Sequence, residues 1–281
     1  MLSSIKRLIP LPVRIKVRTY LVKRSQDREK ADLFSDLAPL VPSVEQMYDG
    51  PQSLAEFKAN GEEFLKIYKD VCGLKVDEKM LDVGSGIGRK TLPLTQYFGE
   101  HAVYEGIDIS KEGVDWCRRK ITTRFPNFHF QQIDVYNKEY NPGGTYQAAE
   151  YKFPFADETF TFVMLGSVFT HMLPDDLKNY LSEVRRVLAK GGRCLITYFL
   201  LNEESLGLIE RGESAGDFKD VHEIYRTVSP EVPEIGIAFH ETWIKELYRE
   251  MGLTVARVDY GSWCGRKNYL TYQDLILATK D

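Results

Sequence analysis

The sequence predicts a doubly wound α/β fold, a mostly parallel sheet of seven strands with helices on both faces, and three observations predict it. A short apolar run, Met80 to Val83, breaks into glycines at Gly84, Gly86 and Gly88, and the chain then turns amphipathic. That is the pattern of a buried strand, a tight turn and the start of a helix, with the backbone free to approach a ligand. Downstream, strand-like and helix-like stretches alternate, as in a parallel sheet with crossover helices. Finally, Asp82, Asp108 and Asp134 end three successive strands or sit beside their ends, and ligands of such sheets bind beyond the carboxyl ends of the strands.

The chain has 281 residues, 43% hydrophobic and 28% charged, enough to bury a sizeable core. Residues 1–50 read as a basic and apolar N-terminal arm and residues 51–281 as the main domain. Within 1–30 there are nine Lys or Arg, among them Lys6, Arg7, Arg14, Lys16 and Arg18, against Asp27 and Glu29, in a chain whose net charge is −4. Pro10 and Pro12 speak against one long helix through this helical arm. Two readings stand: a peripheral membrane contact, or packing on the arm's own domain or a partner subunit. The acidic overall balance argues against general nucleic-acid affinity.

Leu54 to Cys72 carries apolar residues at helical spacing and reads as a helix over the glycine turn, stopped by Gly73. The first strand is Lys79–Val83, with a helix from Arg89 to Phe98. The second is Val103–Asp108, followed by a helix over Lys111–Arg124 capped by Ser110. The third is Phe128–Ile133 and the fourth Phe160–Leu165, followed by a helix over Pro174–Leu188 with proline in its first turn. The fifth is Arg193–Leu200, after Gly191-Gly192. A helix at Glu241–Glu250, a strand at Thr254–Asp259 and a closing strand at Leu270–Thr279, antiparallel to its neighbour, complete the sheet. Tyr136–Asp157 is a long polar connection containing Asn141-Pro142-Gly143-Gly144. Residues 202–239 are polar and irregular, and so long a connection reads as a lid, a substrate-binding insertion or disorder.

Cys72, Cys117, Cys194 and Cys264 lie far apart without Cys-x-x-Cys or His at zinc spacing, so packed, reduced thiols in a cytoplasmic protein are expected. No apolar stretch approaches the ~20 residues that cross a bilayer. No uninterrupted signal-peptide core is present either, and no acidic cluster has metal-ligand spacing.

Five segments resemble the class I S-adenosylmethionine-dependent methyltransferases, of the type 11/12-like group. Leu81-Asp82-Val83-Gly84-Ser85-Gly86-Ile87-Gly88 looks like that family's first motif, and Gly106-Ile107-Asp108-Ile109-Ser110 like its second. Gln132-Ile133-Asp134-Val135 looks like the third, and Phe153-Pro154-Phe155-Ala156-Asp157-Glu158-Thr159-Phe160 like the run before strand four. Glu183 to Gly192 resembles the helix-to-strand-five signature. The resemblance covers about residues 55–281 and implies a Rossmann-like methyltransferase fold with S-adenosyl-L-methionine as cofactor. It implies cofactor contacts at Asp82, Gly84, Ser85, Gly86, Gly88, Arg89, Asp108, Ile109, Asp134, Val135, Gly166 and Ser167. Asp108 would take the ribose hydroxyls, Asp134 the adenine amino group, and Asp82 would organise loop amides or water near the cationic centre. Thr161 and Ala189-Lys190 depart from the family pattern, away from those contacts.

Methyl transfer from a sulfonium mainly requires alignment and exclusion of water. An alcohol nucleophile also requires a base. His171, in Gly166-Ser167-Val168-Phe169-Thr170-His171-Met172, is suitably placed after strand four; the alternative is that it only packs or borders the cofactor. His240 and His222 are further candidates. Gly166-Ser167-Val168-Phe169 stands where base-amino methyltransferases carry [DNS]-P-P-[YFW], which disfavours nucleic-acid methylation. By resemblance to bacterial tailoring enzymes, a sugar or small-molecule hydroxyl is the expected acceptor. N- or C-methylation of a metabolite and non-catalytic cofactor binding are the alternatives. A nicotinamide oxidoreductase would need a glycine where Arg89 stands and a Tyr-x-x-x-Lys pair.

Overall fold

The computed structural model describes residues 11–48 and 50–281. The elements are helix α1 (Leu11–Phe34), α2 (Leu54–Asp70), β1 (Lys79–Val83), α3 (Thr91–Leu94), β2 (Val103–Asp108), α4 (Lys111–Cys117) and β3 (Phe128–Gln132). Then follow β4 (Phe160–Leu165), α5 (Pro174–Val187), β5 (Leu188–Tyr198), β6 (Leu200–Leu201), α6 (Glu203–Glu210), β7 (Asp220–Val221) and β8 (Tyr225–Thr227). The chain ends with β9 (Ile237–His240), α7 (Glu241–Glu250), β10 (Leu253–Asp259) and β11 (Asp274–Lys280).

Seven strands form one sheet in the order β10-β11-β5-β4-β1-β2-β3. The strands from β3 across to β5 are parallel, and β11 inserts antiparallel between β5 and β10. Each crossover helix packs an apolar face on the sheet. On one side Leu177, Leu181 and Val184 of α5 join Leu81, Val83, Val163 and Leu165; on the other Tyr68 of α2 and Val114 of α4 join Met80, Tyr104 and Phe162. Ser110 caps α4, accepting from Gly113 N at 3.3 Å, as its sequence position predicts.

Two motif segments turn out to hold the architecture together. Arg186 of α5 donates to Phe153 O (3.0 Å), Phe155 O (2.8 Å) and the Asp157 carboxylate (2.8 Å), and Glu183 accepts from Phe153 N (2.7 Å). The Phe-Pro-Phe run is thereby clamped to α5, which burial of Phe153 and Phe160 reinforces.

Four expectations are corrected. Leu11–Phe34 is one helix, because Pro12 occupies its first turn, where a missing N–H costs nothing. Residues 1–10, with Lys6, Arg7 and Pro10, lie outside the described residues. The helix after the glycine turn is only Thr91–Leu94, continued by turns. The helix α2 packs behind that turn and contributes no residue to the cavity at the carboxyl ends of the strands: a Cβ on its Gly61 would sit 2.7 Å from Arg89 O. Finally, the 202–239 segment is ordered, with α6 and a second sheet in the order β6-β9-β8-β7. Strands of two to four residues leave no alternation long enough to read.

The end of α1 and the turns after it pack on the domain. Leu33, Phe34 and Leu37 meet Leu54, Phe57, Ile87 and Leu92, and Trp116 Nε1 donates to Leu40 O at 3.3 Å. No described helix is long and apolar enough to cross a membrane. All four cysteines are buried and none is in a disulfide, and burial pushes the Cys72 and Cys194 thiols up to about 12, so both are protonated. Asp274 ties the insertion to the sheet, accepting from Leu200 N (2.6 Å), Gly261 N (2.7 Å), Trp263 Nε1 (2.6 Å) and Arg266 Nη1 (2.9 Å).

Candidate active site

The carboxyl ends of β1, β2 and β4 open into a cavity of about 690 Å³. Gly84 and Gly86 form its floor at φ +80° and +56°, a conformation that disfavours any side chain. Gly84 N and Ser85 N donate to Ile107 O at 2.8 and 3.2 Å, folding the turn over the end of β2. A Cβ on Gly84 would lie 2.5 Å from Val168 Cγ2, so this cradle exists only without a side chain. Gly84→Ala adds left-handed strain of roughly 1–2 kcal/mol to that clash. We expect it to weaken binding of S-adenosylhomocysteine, the demethylated cofactor, about tenfold by calorimetry, with the circular-dichroism spectrum kept. Undiminished affinity would count against the cradle.

Asp108 holds the turn from the other side. Its Oδ2 accepts from Gly86 N and its Oδ1 from Ser110 N, both at 2.7 Å, in a setting with 8% of the residue exposed. Ile109, Ile133, Val135 and Ala148 give the neighbouring wall an apolar lining. At the other edge, Gly166 and Ser167 line the cavity after β4. Ser167 sits at φ +64°, a strained conformation held by Ser167 N donating to Thr197 Oγ1 (2.7 Å) and Ser167 Oγ to Gln273 Oε1 (2.9 Å).

Of the residues expected to touch a cofactor, Gly84, Gly86, Arg89, Asp108, Ile109, Val135, Gly166 and Ser167 line the cavity. Asp82, Ser85, Gly88 and Asp134 do not. Strand alternation turns Asp82 away from Leu81 and Val83, into the opposite core, where its Oδ2 accepts from Tyr104 OH at 2.7 Å. Its buried Oδ1 has no donor, and burial raises its pKa against the pull of Lys90 and Tyr104. Ser85 lies beneath Gly106, within 3.0 Å of where a Cβ there would be. Gly88 serves packing: a Cβ on it would reach Ile121 Cδ1 at 2.9 Å. Asp134 is exposed and bonded to its own loop, and the Thr145 hydroxyl holds its carboxyl below the usual range.

Among the histidines only His171 reaches the cavity. Its Nδ1 lies 2.6 Å from Glu234 O in the insertion. A carbonyl can only accept, so Nδ1 carries the hydrogen and, in the neutral ring, Nε2 keeps the lone pair. Burial lowers the pKa of His171, against the opposing pull of the Glu234 carbonyl and Glu139. Tyr140 stands edge-on to the ring at 5.2 Å, and Asn137 Nδ2 donates to His171 O at 3.1 Å. His240 lies at the start of α7 beside Arg226, and His222 stacks on Tyr225 at 4.2 Å; neither lines the cavity. Both ride on the insertion's small sheet, which aims them elsewhere.

Sequence reading missed Tyr48 and Gly50 from the end of the arm, Lys90, Glu139 and Tyr140 from the long connection, Asp176 and Tyr180 from α5, and Glu234. Lys90 alone carried a local signal, adjoining Arg89 at the glycine turn. Among the described residues no group of three or more His, Cys, Asp or Glu could hold a metal ion.

Residues 81–196 match the family model described as a methyltransferase domain. The chain is 32% identical to the arsenite methyltransferase of Mus musculus over 126 residues, 43% of this chain and 32% of that protein, so it spans about a third of the relative's length. The fold is shared with the PH0226 protein of Pyrococcus horikoshii OT3, at a TM-score of 0.57 and 18% identity, covering 86% of this chain and 97% of that one. It is also shared with the 1,6-didemethyltoxoflavin-N1-methyltransferase of Burkholderia thailandensis, solved with S-adenosylhomocysteine bound, at a TM-score of 0.52 and 17% identity over 91% of each chain.

Proposed function

We propose that the chain, whose residues 81–196 match a methyltransferase-domain model and whose motifs resemble the class I S-adenosylmethionine-dependent methyltransferases, transfers that cofactor's methyl group to a hydroxyl of a small molecule, sugars included, with His171 as the base. The residues fit that cofactor: a glycine cradle that a Cβ would fill, a carboxylate at Asp108, and an apolar slot. When bound, S-adenosylmethionine supplies an activated methyl group that leaves its sulfur by in-line displacement.

Gly84 and Gly86 would receive the methionyl part, with Arg89 and Lys90 close by for its carboxylate, and Asp108 would take the ribose hydroxyls. Ile109, Ile133 and Val135 would sandwich the adenine. Asp82, beneath the turn, would act on the cationic centre through space.

The observation that carries the reading is the bond from His171 Nδ1 to Glu234 O. It fixes the ring so that Nε2 is the basic atom, on a residue that lines the same cavity as the glycine turn. Burial keeps the ring neutral near pH 7, the state in which Nε2 can accept the hydroxyl proton.

The test is labelled-methyl transfer to hydroxylated metabolites, followed across pH. A base acts when deprotonated, and the His171 pKa is lowered. The rate should therefore rise on the acid side, with its half-point below the ordinary ~6.5 of histidine, and stay flat through neutrality. A half-point above that value, or an unchanged profile in His171→Gln, would remove His171 from this role.

A further inference from the structure

We propose that Glu234 and Asp176 form an acceptor-recognition subsite for a cation, so that the hydroxyl presented to His171 belongs to an amine-bearing molecule. This rests on the methyl-transfer reading above and adds the substrate class to it.

The Glu234 residue is 9% exposed, and its fully buried Oε2 meets no hydrogen-bond donor among the described residues. No described Lys or Arg pairs with it, although it lines the cavity. A carboxylate oxygen held this way is costly unless a donor arrives from outside. Asp176 lines the same cavity from the first turn of α5, where it accepts from Leu173 N at 3.3 Å and from the Ala149 backbone. Burial raises its pKa, and the Glu234 charge raises it further, so the two carboxylates feel each other. Glu139 adds a third acidic side chain to the wall.

Among the described lining residues the cations Arg89 and Lys90 adjoin the glycine turn, where Asp108 also sits, whereas the side near His171 has the ring of Tyr140 and the acidic residues Glu139 and Glu234. Carboxylates and aromatic rings together favour an ammonium group. A neutral polyol would supply donors but would leave the repulsion between Glu234 and Asp176 uncompensated. The ammonium is a handle here, and the methylated atom is a separate hydroxyl at Nε2 of His171.

Calorimetry on the full chain provides the test. Binding of S-adenosylhomocysteine is measured first; its failure would bring down the methyl-transfer reading and this proposal with it. The loaded protein is then titrated with tyramine against N-acetyltyramine, and with glucosamine against N-acetylglucosamine. In at least one pair the amine should bind about tenfold or more tightly than its neutral partner, and Glu234→Gln should abolish that preference. Without ligand, Glu234→Gln should melt no lower than the wild type, because an unpaired buried charge is gone. Methyl transfer to the bound amine should show the loss in KM more than in kcat. Equal affinities, a preference for the neutral partner, no binding by either amine, or a lower melting temperature in the variant would each overturn the proposal, with the methyltransferase reading left standing.

Discussion

Replacing His171 with alanine is expected to lower kcat about 10²- to 10⁴-fold while S-adenosylhomocysteine affinity stays within about threefold. The asymmetry follows from position. The ring borders the cavity on the turn after β4, whereas the proposed cofactor cradle is built from Gly84, Gly86 and Asp108. Removal of the imidazole takes away the proton acceptor and leaves those contacts untouched. It also frees Glu234 O and takes the ring from beside Tyr140, while the main-chain oxygen that Asn137 bonds stays; His171→Gln, whose amide can still donate to the Glu234 carbonyl, separates the two effects. Near-normal turnover in either variant would show that His171 merely packs.

Asp108→Ala should raise the dissociation constant of S-adenosylhomocysteine about a hundredfold and lower unfolding stability by about 3 kcal/mol. Two charge-assisted bonds of 2.7 Å vanish, each worth roughly 1.5–3 kcal/mol, and the N–H groups of Gly86 and Ser110 lose their acceptor. Asp108→Asn keeps one oxygen acceptor and should fall between the wild type and alanine. Urea denaturation and calorimetry measure the two losses separately. An affinity within threefold of the wild type would mean that the carboxylate only closes the turn.

The framework of the fold was plain in the residues because its signals are local. β1, β2 and β4 are short apolar runs bounded by turn chemistry, and their limits agree with the residues expected. Ser110 and Pro174 announce helix starts through the backbone chemistry of first turns. The glycine turn and Asp108 were readable because their spacing reflects the reach from one strand end to the next. Which way a strand-end carboxylate faces was not readable: Asp82 and Asp134 satisfy the pattern yet point into the opposite core and into a loop. Glu234 and Asp176 lie on segments whose meeting depends on how 202–239 folds back, and no spacing records that. Arg186 illustrates the converse, a family-like position whose work is to clamp Phe153 and Phe155.

One contact ties the insertion to the chemistry. The insertion meets the β4 turn through the Glu234 main-chain oxygen, and that same oxygen chooses which nitrogen of His171 is bare. Without that carbonyl the ring's tautomer would equilibrate, so the proposed base owes its bare Nε2 to a segment far along the chain.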